Sequence, residues 1–237
     1  MRVAAVADIH FTRTTGRELS SIFTDASRQA DVLVLCGDLT DYGLPEEAQM
    51  LAAELKTSLN IPVLGVLGNH DYESGYPEVV KRILTDAGVH ILDGDACDID
   101  GVGFAGVKGF AGGFGPAVLA PWGEKMIKDF VQEAVSEALK LEAALARLKS
   151  ARRMAVLHYA PVEATVAGEP REIYPFLGCS RLEETLNRYA VDVVVHGHAH
   201  RGVAEGATSK GIPVYNVSLP LMRRQRPEGP PFRLIDL

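Results

Sequence analysis

A chain of 237 residues, 47% of them hydrophobic and 23% charged, has the composition of a soluble globular protein able to bury a sizeable core. Thirty-one acidic residues against 24 basic ones leave a net charge of −7, which argues against a surface built to coat nucleic acid. Cys36, Cys97 and Cys179 are widely spaced and odd in number, so they form neither a disulfide framework nor a zinc-finger pattern, and a reducing compartment fits. Val3 to Ala7 already reads as a strand, with no room for a signal peptide before it, and no apolar run approaches the length of a bilayer span. The expectation is a cytoplasmic protein without membrane contact, a single domain over residues 1–237, acting as a monomer or homodimer.

Taken in chain order, Arg2 to Ala7 is strand-like and ends in Asp8-Ile9-His10, and a helical pattern covers Arg17 to Ala30. Asp31 to Cys36 is a second buried strand, ending in Gly37-Asp38-Leu39-Thr40-Asp41. Pro45 opens a helix whose Glu46 and Glu47 complement its dipole and whose stripe is Leu51 and Leu55. Pro62 to Leu67 is a third buried strand and delivers Gly68-Asn69-His70-Asp71; a helix over Pro77 to Ala87 then stops at Gly88. Such a strand–helix repeat implies parallel strands joined by right-handed crossovers.

From Val89 short strands follow: Val89 to Leu92, Cys97 to Ile99, and Val102 to Lys108. Gly101-x-Gly103-x-x-Gly106 matches the dinucleotide fingerprint but lacks the helix that must follow it, so it reads as strand and loop. Residues 123–150 form one amphipathic helix, expected to pack on a sheet, with a dimer contact as the lesser alternative. Arg153 to Leu157 is a strand ending in His158, followed by a long loop, Tyr159 to Ser180, placed to form a substrate rim. A helix at Arg181 to Tyr189 leads to Asp192 to His196 and Gly197-His198-Ala199-His200. Strands at Pro213 to Leu219 and Phe232 to Leu237 close the chain; the basic Met222 to Arg226 between them reads as a solvated tail segment, with a substrate-phosphate contact as the lesser reading.

The strand ends therefore carry Asp8 and His10; Asp38; Asn69 and His70; His158; and His198 and His200. Five of the seven histidines lie there. Residues two apart in an extended segment point the same way, so Asp8 with His10, and His198 with His200, can each aim two ligands into one pocket. A nitrogen–oxygen set without thiolate suits Mn, Fe or Zn, and there are too many donors for one tetrahedral ion. Two divalent ions roughly 3.5–4 Å apart, sharing one carboxylate, would use them all and could clamp a phosphate. His196 is out of phase with His198 and reads as a locally bonded residue, His90 as surface, and Cys36 as a small core residue.

Asp8-x-His10, Gly37-Asp38-x-x-Asp41, Gly68-Asn69-His70-Asp71, His158 and Gly197-His198-x-His200 resemble, in order, the blocks of the calcineurin-like metallophosphoesterase family. The resemblance implies an α/β fold, a four-layer αββα sandwich of two mixed β-sheets flanked by helices. It further implies that Asp8, His10 and His200 hold one ion, that Asn69, His158 and His198 hold the other, and that Asp38 bridges them. His70 would be no ligand but the general acid, oriented by Asp41. Asp41 and Asp71 are each open between an orienting role and an ordinary turn residue.

Departures from subfamilies narrow the activity. Tyr42 and Asp71 stand where the protein serine/threonine phosphatases carry Arg and Glu, and Asp41 stands where purple acid phosphatases supply a ligand Tyr. His70 replaces the Arg usual in lipid-A pathway pyrophosphohydrolases, and its presence disfavours a retromer-like scaffold. What remains resembles the bacterial phosphodiesterases, with a small phosphate-ester substrate, nucleotide-like or cyclic. A phosphomonoesterase, a nuclease and a non-catalytic metal-bound scaffold are the alternatives. Nucleic acid is not the favoured substrate, because the capping domain of the repair exonucleases is missing and the charge is acidic.

Overall fold

Alternation along the first strand shows how the layers arise. The computed structural model describes residues 1–12 and 14–237, with residues 16 and 17 described by backbone alone. In β1 (Arg2–Val6) and just beyond it, Val3, Ala5 and Ala7 join one apolar core, while Ala4 and Val6 join another. A strand that buries both faces must be covered on both, and here a second sheet covers one face and helices the other. The first half of the chain continues with α1 (Gly16–Gln29), β2 (Val32–Cys36), α2 (Pro45–Ser58), β3 (Val63–Val66), α3 (Pro77–Asp86) and β4 (Val89–Ile91). Helices α1, α2 and α3 supply Phe23, Leu51 and Leu84 to the core over the outer face of that sheet.

The second half carries β5 (Asp95–Ile99), β6 (Val102–Val107), α4 (Lys125–Arg147), β7 (Arg152–Leu157), α5 (Tyr174–Leu177), α6 (Ser180–Leu186), β8 (Val193–His196), β9 (Glu205–Ala207), β10 (Pro213–Asn216), α7 (Leu219–Gln225) and β11 (Arg233–Asp236). One sheet has the order β11-β1-β2-β3-β4, parallel except for β11 at its edge. The other has the order β5-β6-β7-β8-β10-β9, with β5 and β9 as antiparallel edges around a parallel centre. Val34, Leu64 and Val66 of the first sheet meet Phe104, Met154, Val156 and Val195 of the second in a shared core. Helices α4 and α6 cover the far face through Leu141, Leu145, Leu182 and Leu186. The result is the expected αββα sandwich of two mixed sheets.

Three segments differ from the sequence reading. The Tyr159–Ser180 stretch is not a plain loop: it holds helical turns at Glu163–Thr165 and Arg171–Ile173, and then α5. The strand expected to reach Leu219 ends at Asn216, and Leu219 begins α7, with Pro220 in its first turn where a missing N–H costs nothing. The basic stretch from Met222 is therefore largely helix, not tail: Met222 is buried and Arg223 pairs with Glu18 on α1 at 2.7 Å. Three-residue β9 carries too short a pattern to be read in advance.

Two glycines of the apparent dinucleotide fingerprint, Gly103 and Gly106, have a packing role instead. A Cβ at Gly106 would meet Leu92 Cβ at 2.8 Å and Val66 Cγ1 at 2.9 Å, so bare backbone is what lets the two sheets approach here. Gly106→Val should wedge them apart and cost about 1–3 kcal/mol, to be read as a lowered urea midpoint at unchanged denaturant slope.

Candidate metal centre

Strand ends of both sheets converge on one edge of the sandwich, and the loops leaving them run on side by side. Asp8 N–H donates to Gly37 O, and His10 N–H to Asp38 O, both at 3.0 Å. On the other sheet Gly197 N–H donates to His158 O at 3.1 Å. The loops are pressed together through glycine: a Cβ at Gly37 would enter the His158 ring, one at Gly68 would enter Asp38, and one at Gly197 would strike Ala7 and Asp8. Each of these glycines immediately precedes, or is the contact of, a residue singled out from the sequence.

Backbone conformation marks the same residues. Among the described residues, five that are not glycine have positive φ, and four of them are Asp8 (56°), His10 (42°), Asp38 (50°) and His198 (69°). This left-handed region costs an L-residue of order 1 kcal/mol or more, and such conformations persist only where the surroundings enforce them. The fifth, Asp100, precedes Gly101 in the β5–β6 hairpin, where a turn explains it.

All seven expected ligands are brought together. Asp8, His10 and His200 offer ligand atoms within 4.8 Å of one another, and so do Asp38, His158 and His198. His200 Nε2 lies 3.2 Å from Asp8 Oδ1, His158 Nε2 lies 3.4 Å from Asp38 Oδ1 and 2.9 Å from Asn69 Oδ1, and His10 Nε2 lies 3.8 Å from Asp38 Oδ2. Asp38 thus stands between the two groups, with His10 on one side and His158 on the other. His70 also joins His10 and Asp38 in a third, overlapping set.

Proton bookkeeping tests whether this cluster fits cations. His158 is fully buried, with Nδ1 3.0 Å from Cys36 O and Nε2 facing Asn69 Oδ1 and Asp38. Only an imidazolium could donate to both sides, yet burial lowers the pKa of this ring. A cation at Nε2 in place of the second proton resolves the conflict. His198 repeats the pattern: Nε2 meets the Phe176 carbonyl at 3.1 Å, leaving Nδ1, and burial together with His158 pushes its pKa down to about 3. Both ring nitrogens of His10 are buried without a hydrogen bond, although Asp41 Oδ1 lies 3.1 Å from Nδ1. Ligand histidines commonly hold a carbonyl or carboxylate on their other nitrogen, as these do.

Carboxylates tell the same story. Burial and the neighbouring Asp8 charge push the Asp38 carboxyl up to about 7. Burial also works against ionised Asp8, but the hydrogen bond to His200 and the nearby histidines hold its carboxyl well below the ordinary range. Two buried acids compete for too little positive charge, and divalent ions would supply it. His196 is the contrast: its nitrogens meet Gly197 O at 2.7 Å and the Thr165 hydroxyl at 2.8 Å, so both are bonded locally and neither faces the cluster. This agrees with its reading as a non-ligand.

The contact between Asp41 and His70 is made by backbone. His70 Nδ1 does meet Asp41, but through the backbone carbonyl at 2.6 Å; the Asp41 carboxylate is 3.8 Å from His70 and 3.1 Å from His10. Asp71 resolves as a fully buried clamp, accepting from Leu39 N–H (3.2 Å), Thr40 N–H (2.8 Å), Thr40 Oγ1–H (2.6 Å) and Gly68 N–H (2.8 Å). It ties the loop after β2 to the loop after β3.

One residue at this edge escaped the sequence reading. Lys108 follows Val102, Phe104 and Gly106 on the inter-sheet face of β6, one strand beyond His158, and that period-two phase was the available signal. It is nine-tenths buried, with its ammonium 4.8–5.4 Å from the ring centres of Tyr72, Phe110 and Tyr159 and bonded to Gly109 O at 2.9 Å. Tyr72 follows the Asn69-His70 turn and Tyr159 follows His158, so this cation sits between two loops of the cluster.

The sequence profile of the calcineurin-like phosphoesterase family matches residues 1–202. The chain belongs to that family. Among curated protein sequences none matches it significantly. Of solved structures, the phosphopantetheinyl hydrolase of Mycobacterium tuberculosis superposes with a TM-score of 0.70 at 16% identity, over 98% of this chain and 95% of that one. A Thermus thermophilus protein follows at 0.60 and 14%, over 92% and 88%. A putative 5′-nucleotidase from Staphylococcus aureus, solved in complex with alpha-ketoglutarate, gives 0.56 and 18%, over 91% of this chain and 48% of that one. At these identities the likenesses establish the shared fold of this calcineurin-like phosphoesterase and nothing finer.

Replacing Asp71 tests the scaffold of the centre. Asp71→Ala strands four buried donors and should cost about 3 kcal/mol or more at roughly 1–3 kcal/mol per unmet group, seen as a large drop in thermal midpoint.

Proposed function

We propose that this calcineurin-like phosphoesterase hydrolyses a phosphodiester, a small nucleotide-like or cyclic one, with two divalent ions. The observation that carries the reading is the His158–Asp38–His10 arrangement: a buried imidazole and a half-buried one, whose ring nitrogens are themselves shut off from solvent, flank one buried carboxylate. Asp8, His10 and His200 would hold one ion, Asn69, His158 and His198 the other, and Asp38 would serve both. Bound there, the ions would supply charge neutralisation for the phosphoryl oxygens and acidity to the attacking water.

The protein's own groups account for the remaining steps. His70 commits Nδ1 to the Asp41 carbonyl, leaving Nε2 as its free nitrogen, and its side chain is about one-third exposed at the rim of the cluster. Burial alone would lower its pKa, but the Asp41 carbonyl and the Asp38, Glu73 and Asp41 charges raise it above the ordinary value. A ring that keeps its second proton can pass it from Nε2 to a departing alkoxide, the weakest point of ester hydrolysis at neutral pH. Asp38 holds the backbone N–H of His70 at 2.9 Å, so the acid is registered directly against the shared carboxylate. A cytoplasmic, single-domain enzyme acting on a small molecule completes the reading. The fold likeness to a protein named phosphopantetheinyl hydrolase supports ester hydrolysis, and the putative 5′-nucleotidase keeps monoesters as the alternative.

Turnover of bis(4-nitrophenyl) phosphate against 4-nitrophenyl phosphate, with Mn²⁺ present, tests the proposal; the diester should be the better substrate. Absence of turnover with either ester by metal-loaded protein would refute it. His70→Ala should lower kcat about 10²- to 10⁴-fold while metal content stays unchanged. Elemental analysis should find two ions per chain in the wild type and in His196→Gln, and a reduced content in His158→Ala.

A further inference from the structure

The turn that carries His198 and His200 is strapped down by a segment that buries nothing of its own. None of the described residues 167–176 is buried. Apolar burial therefore does little to order them, and segments of that kind open locally before the rest of a fold does. Polar contacts tie this strap to the turn at its start, middle and end. Just before it, Thr165 O accepts Val203 N–H at 3.0 Å. In its middle, Glu169 Oε1 accepts Arg201 N–H at 2.6 Å. At its end the Phe176 carbonyl faces His198 Nε2 at 3.1 Å. The residues on either side of Phe176 hold the amides of other loops: Gly112 N–H donates to Pro175 O at 2.7 Å, and Ala160 N–H donates to Leu177 O at 3.0 Å.

The last of these ties runs through the ring of a candidate ligand, and it depends on where that ring keeps its proton. A neutral imidazole has one N–H and one lone pair. With the proton on Nε2, His198 donates to the Phe176 carbonyl and offers the lone pair of Nδ1. With the proton on Nδ1, lone pairs face each other at Phe176 and the tie is lost. A cation bound through Nδ1 admits only the first form, because the hydrogen bond at one ring nitrogen and the ligand at the other select the same tautomer.

We infer that this strap is a metal-coupled rim: an ion held by Asn69, His158 and His198 fixes residues 174–178 against the His198 turn, and its loss loosens them. The inference rests on the two-ion reading and adds a form of regulation to that site, since the wall beside the ligands firms up as the protein loads. Linkage makes the coupling reciprocal, so displacing the strap weakens the ion by the factor through which the ion steadies the strap. Gly178 gives a handle on that second direction. Its backbone is extended, with φ at 172°, but a Cβ there would meet the Ala160 carbonyl oxygen at 2.0 Å. Gly178→Ala therefore pushes the end of the strap away without touching a ligand.

Amide hydrogen exchange with and without Mn²⁺ tests the first direction. In the wild type, Mn²⁺ should slow exchange at Gly112 and Ala160 about fivefold or more, the lower end of ordinary coupling. Exchange at Thr208, whose N–H is bonded to Ile212 O between β9 and β10, should stay unchanged. Calorimetric titration of Gly178→Ala with Mn²⁺ tests the second: one ion should bind about tenfold or more weakly, the usual effect of disturbing a ligand's partner, and the other as in the wild type. Unchanged exchange at Gly112 and Ala160 in protein that elemental analysis shows to be loaded, or wild-type affinity for both ions in Gly178→Ala, would overturn the coupling and leave the esterase reading intact. Wild-type protein that takes up no metal would take down both.

Discussion

Close backbone contact between loops of different strands is the constraint from which the rest of this molecule follows. Asp8, Asp38, Asn69 and His198 come from strands spread along the sequence, and they meet because Gly37, Gly68 and Gly197 leave no side chain in the way. The same crowding forces left-handed backbone on Asp8, His10, Asp38 and His198. Such conformations are unfavourable for these residue types, so stability generated in the apolar cores is what sustains them. Asp71 converts the crowding into fixed geometry by bonding to both neighbouring loops.

Electrostatics then decides which polar residues are poised for a ligand and which are finished. His196 and His158 are equally buried and end adjacent strands, yet one is bonded to Gly197 and Thr165 outside the cluster and the other faces Asn69 and Asp38 within it. The difference in partner, not in residue type or burial, separates a structural histidine from a candidate ligand. Lys108 extends this logic along the sheet edge: its buried ammonium lies among three rings, with Glu133 at 4.0 Å, and takes no position in the ligand set.

Much of this was legible in the sequence, for identifiable reasons. Runs such as Val32–Cys36 and Val193–His196 are apolar on both faces, which only a sheet covered on both sides can use, and their polar terminal residues announced the edge where chemistry gathers. Other features depend on contacts between segments that no local pattern records. Asp41 was expected to orient His70; what meets the ring is its carbonyl, which every residue possesses, while its carboxylate faces His10. The short helix at Leu219–Gln225 was missed because its arginines suggested solvent, whereas Leu221 and Met222 bury its other side. Phe176 carries no motif at all; its place is known only through the His198 ring that touches it.

Ownership of the centre is divided between the sheets: Asp8, His10, Asp38 and Asn69 leave the first, while His158, His198 and His200 leave the second. Between the two lies an apolar interface whose alignment rests on the interdigitation of side chains such as Val66, Phe104 and Val156. Any shear of one layer over the other changes the span between opposing donors directly. A displacement of about 1 Å can cost a catalytic centre roughly a hundredfold in rate. Methyl groups far from the rim therefore act as calibration shims, setting the distance between donors that they never touch.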